Sequence, residues 1–426
     1  MQRLKRPFYG WWIVGAAIVL QALPAGLLQQ AYGSYVVLLE RDFGWSRTTL
    51  SAAFSVIRAE EGLLGPLQGW MLDRFGPRAV MRAGVLIFGV GFLLFARIDS
   101  VVEFYVVFGI MAIGASMGGF LSITTAIVNW FDKKRSMAMG IALLGTAIGG
   151  FALPLVVWGL EHWGWRTVAT ISGVIILVVG LPTTQIVRHR PQQYGWLPDG
   201  RQPGEVVTAA DGSPVVEVAG PAFTAKEALR TKAFWFISIA HTGSVLVVSV
   251  IQVHFVAYVT EDLGLTLVAA GWMVTLQTTT NLVFRPVGGW LADRTSSRMV
   301  TAVAMLGHMV ALIILAFSTG YTGIAVAALL NGACWGARVP VVVSMRAEYF
   351  GSGSFGAIMG LSSLVVTTGA VIAPIAAAIA YDVLGSYTAA FVILAVLAGL
   401  GSLFLFALPK PGTLATPQRV EESPAA

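Results

Sequence analysis

A positively charged residue inside an apolar segment is the first feature of this sequence that could do chemistry. Arg285 lies in the apolar stretch 267–292, and Asn281 and Gln277 precede it at steps of four residues. At that spacing the three side chains share one face of a helix. A guanidinium presents parallel N–H donors that fit the two oxygens of a carboxylate. The pattern therefore predicts a polar stripe that binds a small organic anion through Arg285 and Asn281.

A second group of charged residues, Arg58, Glu60 and Glu61, falls in another apolar stretch, 47–72. Arg58 and Glu61 are three residues apart and can pair along a helix. A carboxyl there could exchange a proton when an anion leaves Arg285, because burial and a neighbouring cation shift its pKa in opposite directions. Fixed ion pairs, either within this group or to Arg285, are the alternative, and the residues leave both open.

A third cation, Arg338, lies in the apolar stretch 322–347 and follows Asn331 and Trp335 at helical spacing. Trp335 and Arg338 could line the same cavity and suit a dicarboxylate or a bulkier acid. Pairing of Arg338 with a residue of a neighbouring helix is equally open. Tyr32, in the first apolar stretch, is a candidate for the mouth of the cavity, with ordinary packing as its alternative.

Composition decides which elements must position these residues. Hydrophobic residues make up 56% of the 426, and only 11% are charged, whereas soluble domains carry about 25% charged residues. The apolar runs last long enough to cross a bilayer as helices and lack the short alternation of barrel strands. The sequence therefore predicts an all-α integral membrane protein in contact with the lipid bilayer.

Twelve membrane spans are predicted, numbered here in chain order. With an even number, both termini lie on one side, and twenty of the 27 lysines and arginines then fall on that side against four on the other. The positive-inside rule predicts both termini in the cytoplasm, in a multi-pass protein of the cell membrane. Topology thus accounts for the net charge of +6 without a nucleic-acid partner. The predicted spans are residues 10–39, 47–72, 79–96, 103–129, 136–160, 167–187, 231–260, 267–292, 299–318, 322–347, 355–380 and 386–407.

A hydrophilic segment divides the spans into two groups of six. Residues 1–187 and 224–408 are the predicted halves, residues 188–223 a cytoplasmic linker, and residues 409–426 a cytoplasmic tail. Several prolines predict that the linker is mobile. At its end, Thr224 and Glu227 have the spacing of a capping box, which predicts a short surface helix.

The two halves repeat each other at an offset of 220 residues. The repeat places Arg285 opposite Gly65 and Asn281 opposite Glu61, so the halves differ where chemistry could occur. Two halves of like topology are expected to be related by an axis along the membrane normal, with substrate bound between them. The matched pairs include Pro66 and Pro286, Gly69 and Gly289, Trp70 and Trp290, Asp73 and Asp293, Arg74 and Arg294, and Gly140 and Gly360.

The whole chain resembles the transporters of the major facilitator superfamily. The segment GWMLDRFGPR, residues 69–78, resembles the signature loop of that superfamily between spans two and three, and GWLADRTSSR, residues 289–298, is its second copy. Within the superfamily the chain is most similar to monocarboxylate transporters and to oxalate/formate antiporter-like proteins. This similarity rests on YGWW at residues 9–12, on WFDKKRSMAMGIALLGTAIGG at residues 130–150, and on the pattern Asn281-x-x-x-Arg285-Pro286.

The resemblance implies a fold, an activity and roles for residues. It implies twelve helices in two pseudo-symmetric halves, alternating access, and a span-eight arginine, Arg285, that binds the substrate carboxylate. The signature loops imply gating contacts rather than substrate contacts. Those gating residues are Asp73, Arg74 and Arg78 with their repeats Asp293 and Arg294.

The sequence contains no Gly-x4-Gly-Lys phosphate loop, and we see no nucleophile with a base and no metal-ligand spacing. We therefore predict no ATP, no metal and no cofactor, and a protein that is not an enzyme. The expected function is secondary transport of small organic anions, favouring monocarboxylates and coupled to protons through Glu60 and Glu61. Anion exchange and efflux of a larger amphipathic compound are the alternatives within transport, and a transporter-like membrane sensor is the alternative of another class.

Overall fold

The structure is a computed structural model that describes residues 8–46, 49–50, 62–200, 207–208, 214–215, 223–384 and 386–411, with the side chains of residues 261 and 267 excepted. Arg58, Glu60 and Glu61 lie outside the described residues. The described residues are almost entirely helical, as predicted. The one sheet in the described part is a two-stranded antiparallel pair, Val207–Thr208 with Pro214–Val215.

The first half contributes six spans, several of which are interrupted. Span one changes from an α-helix to a π-helical turn directly after Pro24, and span six contains a similar turn. Within span four, a non-helical backbone at Gly119 separates two helices. The bounds are Gly10–Pro24, Ala25–Gln29 and Tyr32–Phe43 for span one; Gly65–Phe75 for span two; Pro77–Phe95 for span three; Val101–Gly118 and Phe120–Trp130 for span four; and Arg135–Ala142, Gly145–Gly150, Leu153–Ile175, Ile176–Gly180 and Leu181–Ile186 for spans five and six.

The helices of the second half are longer and more regular. Pro286, Pro340 and Pro374 lie inside spans eight, ten and eleven without ending them. A short helix, Ala225–Leu229, precedes span seven, and Thr224 and Glu227 form the predicted capping box at its start. The bounds are Lys232–Ala257 with the π-helical turn Tyr258–Asp262, Leu267–Arg294, Ser297–Phe317, Tyr321–Phe350, Phe355–Leu384 and Thr388–Phe406.

Within the described residues, nine helical stretches are long and apolar enough to cross a membrane. One of them, Arg135–Ile186, holds two spans, because the chain reverses at Gly164, whose φ of 75° breaks the helix. The remaining spans are the second, which is described only from residue 62, and the eighth, which carries the polar stripe. The count of twelve is therefore confirmed. Large apolar side chains such as Phe317, Val383 and Leu403 are exposed on the outside of the bundle, as expected for a surface in contact with lipid.

The two halves cross each other in the same way at two places. A Cβ added to Gly140 of span five would overlap the backbone of span eight at Arg285 and Pro286. At the repeated position, a Cβ added to Gly360 of span eleven would overlap the backbone of span two at Gly65 and Pro66. Both crossings therefore need a glycine, and the 220-residue repeat is present in the three-dimensional contacts.

The first part of the linker, residues 188–200, is folded against the first half, which differs from the mobile linker that the prolines predicted. The indole of Trp130 and the amide of Asn129 donate hydrogen bonds to the carbonyls of Arg188 and His189. The Arg188 guanidinium lies over the Tyr9 and Tyr194 rings, 4.0 and 4.2 Å from their centres. These aromatic and cation–π contacts stabilise the segment where proline content alone predicted no fixed structure.

Candidate functional site

A cavity of about 450 Å³ lies between the two halves. Of the described residues that line it, Arg285 alone is charged. The first half supplies small and polar groups, including Gly65, Gln68 and Ser116, and the second half supplies Trp335. Helices of both halves therefore surround one cationic side chain. The other lining residues include Gln21, Pro24, Leu28, Gln29, Phe120, Leu143, Thr146, Val339, Met359, Ser363 and Thr367.

Arg285 reaches across from span eight to span five. Its Nε donates to Asn281 Oδ1 at 3.1 Å, within its own helix. Its Nη1 donates to Thr146 Oγ1 at 2.9 Å and to the carbonyl of Leu143. Among the described residues Nη2 has no hydrogen-bond partner. The guanidinium is thus held in place by three bonds on two of its nitrogens and has one donor group available to a ligand in the cavity.

The Leu143 carbonyl is available because span five is interrupted there. One helix ends at Ala142 and the next begins at Gly145. The amide of Ala147 donates to Leu144 O at 3.0 Å, and the i→i−4 bond that would occupy Leu143 O is not made. Two glycines support this geometry, since a Cβ at Gly145 or Gly149 would overlap the backbone of span one.

Asn281 orients Arg285 and is itself buried. Its Oδ1 accepts the bond from Arg285 Nε, so its amide nitrogen, Nδ2, must be the donor end. That Nδ2 is buried without a partner. Asn281 is 4% exposed and does not line the cavity directly. The predicted pair of Arg285 and Asn281 is therefore brought together, with Asn281 behind the arginine.

The other predicted binding residues are distributed differently. Trp335 lines the cavity, whereas Tyr32 and Arg338 do not. The Tyr32 hydroxyl donates to the carbonyl of Leu50, and its ring packs against Phe108. Arg338 is 1% exposed and lies inside the second half. In this conformation the cavity therefore contains one arginine rather than two.

The two repeated aspartates close one end of the cavity, and we call them the latch carboxylates. Asp73, at the end of span two, accepts bonds from the amides of Gly356 and Ala357 at 2.9 and 2.8 Å. Asp293, at the end of span eight, accepts bonds from the amides of Ser136 and Met137 at 2.9 and 2.8 Å. These amides belong to the first turns of spans eleven and five, where helix N–H groups lack partners and favour negative charge.

Each latch carboxylate is partly buried between the halves, and its two amide donors replace hydrogen bonds to water. The ionised form is therefore maintained by bonds that exist only while the two halves touch at this end. Separation of the halves would expose both the carboxylates and the helix ends to water.

The arginines of the signature loops make local contacts instead. Arg74 and Arg294 lie over Trp70 and Trp290, at 5.6 and 4.3 Å from the ring centres. Arg78 donates to Gln185 Oε1 at 2.5 Å within the first half. The aspartates therefore contribute hydrogen bonds between the halves at this end, together with the hydroxyls of Ser136 and Ser344, and the arginines pack against their own half.

Sequence reasoning missed two features. Thr146 and Leu143 bind Arg285, and the only signal was their position inside the segment 130–150. Arg346, which the charge count placed at the end of span ten, is 1% exposed and donates to Ser362 Oγ at 2.7 Å and to Val342 O at 2.9 Å. The signal for the burial of Arg346 was that the helical pattern continues past it to Phe350, so that Arg346 lies within the helix and not at its end.

Twelve membrane helices, two like halves and a cavity between them that carries one cation define a multi-pass membrane transporter, not an enzyme. A family model described as Major Facilitator Superfamily matches residues 17–258 and 237–425. The chain belongs to this superfamily, as its signature loops indicated.

Named relatives agree with this assignment. Monocarboxylate transporter 13 of Bos taurus is 27% identical over 405 residues, covering 94% of this chain and 89% of that protein. The oxalate:formate antiporter of Oxalobacter formigenes is 24% identical over 353 residues, covering 80% and 78%. A solved structure described as the Major Facilitator Superfamily transporter FucP in the outward conformation has a TM-score of 0.70 at 16% identity, covering 95% of this chain and 98% of that one. The fold is therefore shared with that structure.

Proposed function

We propose that this transporter moves organic monocarboxylates across the cell membrane and that Arg285 binds the carboxylate. The observation that supports this most strongly is the state of Arg285: three hydrogen bonds fix its Nε and Nη1, and Nη2 is available in the cavity. No acidic side chain among the described residues pairs with Arg285, and a buried cation without such a partner is costly in a membrane and favours an anionic ligand. The names of the two relatives, a monocarboxylate transporter and an oxalate:formate antiporter, are in keeping with a carboxylate.

The rest of the proposed site follows from the neighbours of Arg285. Asn281 holds the guanidinium and has an unpartnered Nδ2 as a second donor. Trp335 forms an aromatic wall for the organic part of the acid. Arg338 and Tyr32 remain proposed contacts in other conformations of the transport cycle.

We place both termini, and the end closed by Asp73 and Asp293, on the cytoplasmic side, as the distribution of lysine and arginine predicts. The state described here is then outward-facing. Release of the two latch carboxylates would open the cavity inward, with Arg74, Arg78 and Arg294 adjusting around them. Cysteine accessibility at the two ends of the bundle tests this orientation, and labelling of the Asp73 end from outside intact cells would overturn it.

Proton coupling through Glu60 and Glu61, with Arg58 beside them, remains part of the proposal. An inward proton gradient should accelerate uptake, and Glu61→Gln should abolish the acceleration while carboxylate binding persists. Acceleration that survives in Glu61→Gln would leave these acids with a structural role only.

The decisive experiment is uptake of labelled lactate, pyruvate, formate and oxalate by proteoliposomes that contain wild type or Arg285→Ala. We expect saturable uptake by wild type and its loss in Arg285→Ala, with Arg97→Ala as a control because Arg97 is exposed and does not line the cavity. Equal uptake by wild type and Arg285→Ala would overturn the proposal.

Anion exchange is the second candidate, favoured by the similarity to a protein named as an antiporter. Preloading the vesicles with unlabelled oxalate or formate separates the two mechanisms. Uptake that requires an internal anion indicates exchange, and uptake into empty vesicles indicates symport or uniport.

A further inference from the structure

Two side chains inside the second half present hydrogen-bond donors that nothing in the described structure accepts. Arg338 of span ten is 1% exposed, and both its Nε and its Nη1 are buried without a partner. His308 of span nine is fully buried, and its Nε2 also has no partner. Buried polar atoms in native proteins nearly always have a partner, so such a group of orphans indicates a missing ligand.

The neighbours of His308 determine that its free nitrogen is a donor. Gln277 Nε2 donates to Asn331 Oδ1 at 3.1 Å. The amide nitrogen of Asn331 therefore faces His308 Nδ1, 3.1 Å away, and must donate to it. Because Nδ1 accepts, the ring proton of the neutral imidazole lies on Nε2. The orphaned atoms of Arg338 and His308 are thus all donors.

Among the described residues, no acidic side chain pairs with Arg338. Cys334, His308 and His241 lie within range of its electrostatic field, and the other charged group there, Arg346, is also a cation. Arg346 is itself satisfied by Ser362, Val342 and His241. Among the described residues the ion pairs are Arg135–Asp132 and Arg166–Asp99, both in the first half.

We propose that Arg338 and His308 bind a small inorganic anion of halide size in the interior of the second half. A water molecule could accept the hydrogen bonds but would leave the guanidinium charge uncompensated, which burial makes costly. Arg338 does not line the cavity that contains Arg285, so a ligand at Arg338 does not share that cavity with the transported acid. The anion therefore occupies a site separate from the proposed carboxylate site.

The anion site is connected to span eight. Gln277, which begins the hydrogen-bonded chain to Asn331 and His308, lies one helical turn before Asn281 and two before Arg285. Anion binding would fix His308, Asn331 and Gln277 in one arrangement and so hold spans eight, nine and ten together. This inference does not depend on which substrate Arg285 binds.

Thermal unfolding of the purified full-length protein tests the site, with gluconate as the reference anion and chloride or bromide as the probe. We expect a saturable rise in the Tm of wild type of roughly 2–4 °C at a tenfold excess over Kd. Arg338→Met, which keeps the length of the side chain without its charge, should lose the rise, and His308→Phe should need about tenfold more halide. Arg97→Met is the matched control and should respond as wild type does.

A direct measurement covers the case in which Arg338→Met does not fold. Crystals of wild type soaked in bromide should show anomalous scattering beside the Arg338 guanidinium. Absence of that signal, or a halide-dependent rise in Tm that persists in Arg338→Met, would overturn the proposal and assign the orphaned donors to water.

Discussion

Asp73 and Asp293 stand 220 residues apart and make the same contact from opposite halves. Each accepts two backbone amides from the first turn of a helix in the other half, and the amides at 136–137 and 356–357 are themselves 220 residues apart. The two bonds at each carboxylate join the halves at one end of the cavity. The repeat in the sequence therefore gives equivalent contacts between the halves, and the proposed inward opening would require both contacts to break.

We predict that Asp73→Asn and Asp293→Asn each weaken the closed end. An asparagine amide offers one acceptor in place of two and turns a donor towards a helix N–H. Hydrogen bonds to a charged group contribute about 1.5–3 kcal/mol, so loss of part of one pair should shift the two-state equilibrium by tenfold or more. Distance measurements between spin labels on spans five and eight report the shift.

The control for the latch variants is Asp99→Asn. Asp99 pairs with Arg166 at 2.8 Å within one half, and its side chain is largely exposed. Its removal should leave the distance distribution unchanged. A distribution in both latch variants that matches wild type would contradict the latch.

We predict that Thr146→Val raises the KM for the transported carboxylate by about two- to tenfold. The change keeps the shape of the side chain but removes an acceptor that holds Arg285 Nη1 at 2.9 Å. A hydrogen bond to a charged group contributes about 1.5–3 kcal/mol, but Asn281 and Leu143 still hold the guanidinium, so we expect a loss of about 0.5–1.5 kcal/mol, which corresponds to that range. Initial rates of uptake against concentration measure the effect.

Thr170→Val is the matched control for this variant. The Thr170 hydroxyl donates only to the carbonyl of Arg166 one turn earlier in its own helix. Its KM should equal that of wild type. An unchanged KM in Thr146→Val would indicate that Asn281 and Leu143 O position the guanidinium without Thr146.

The number of spans, the repeat and the position of Arg285 within a span were predictable because each depends on residue type alone. The length of an apolar stretch predicts a membrane span, and matching residues at one offset indicate a repeat. A cation in an apolar stretch is costly to bury in a membrane, which marks it as a candidate functional residue. The Leu143 carbonyl was not predictable, since a backbone atom becomes an acceptor only where a helix is interrupted. Its interruption depends on close packing against span one.

Arg338 illustrates a second limit of the sequence. Trp335 and Arg338 are three residues apart, which is about 60° around a helix. That spacing puts them on one broad face, but the boundary between cavity and interior runs between them. The position of such a boundary depends on the neighbouring helices, and it cannot be predicted from the spacing of residues along one helix.

We predict that Gly140→Ala and Gly360→Ala destabilise the bundle to a similar degree. The added methyl group would overlap backbone atoms at Arg285 and at Gly65, and backbone cannot move aside as a flexible side chain can. Overpacking of this kind costs about 1–3 kcal/mol. The Tm of the purified variants should fall, whereas Gly109→Ala should not lower it, because no atom lies within 4 Å of a Cβ at Gly109.

The last prediction concerns the pH dependence of the folded linker segment 188–200. Burial and the neighbouring Arg190 guanidinium lower the pKa of His189 below its ordinary value of 6.5. A histidine whose pKa is lowered by folding contributes stability that is present above pH 6.5 and is lost as pH falls through 6.5 towards the lowered pKa. The ring also contacts Gly76 and has a buried, unpartnered Nδ1, so protonation there brings a charge into a site without an acceptor.

The Tm should therefore fall between pH 7.5 and pH 5.5, and His189→Phe, which retains a ring against Gly76, should show a smaller fall. His162→Phe, at an exposed histidine, should behave as wild type, and an equal fall in wild type and His189→Phe would assign the pH dependence to another group.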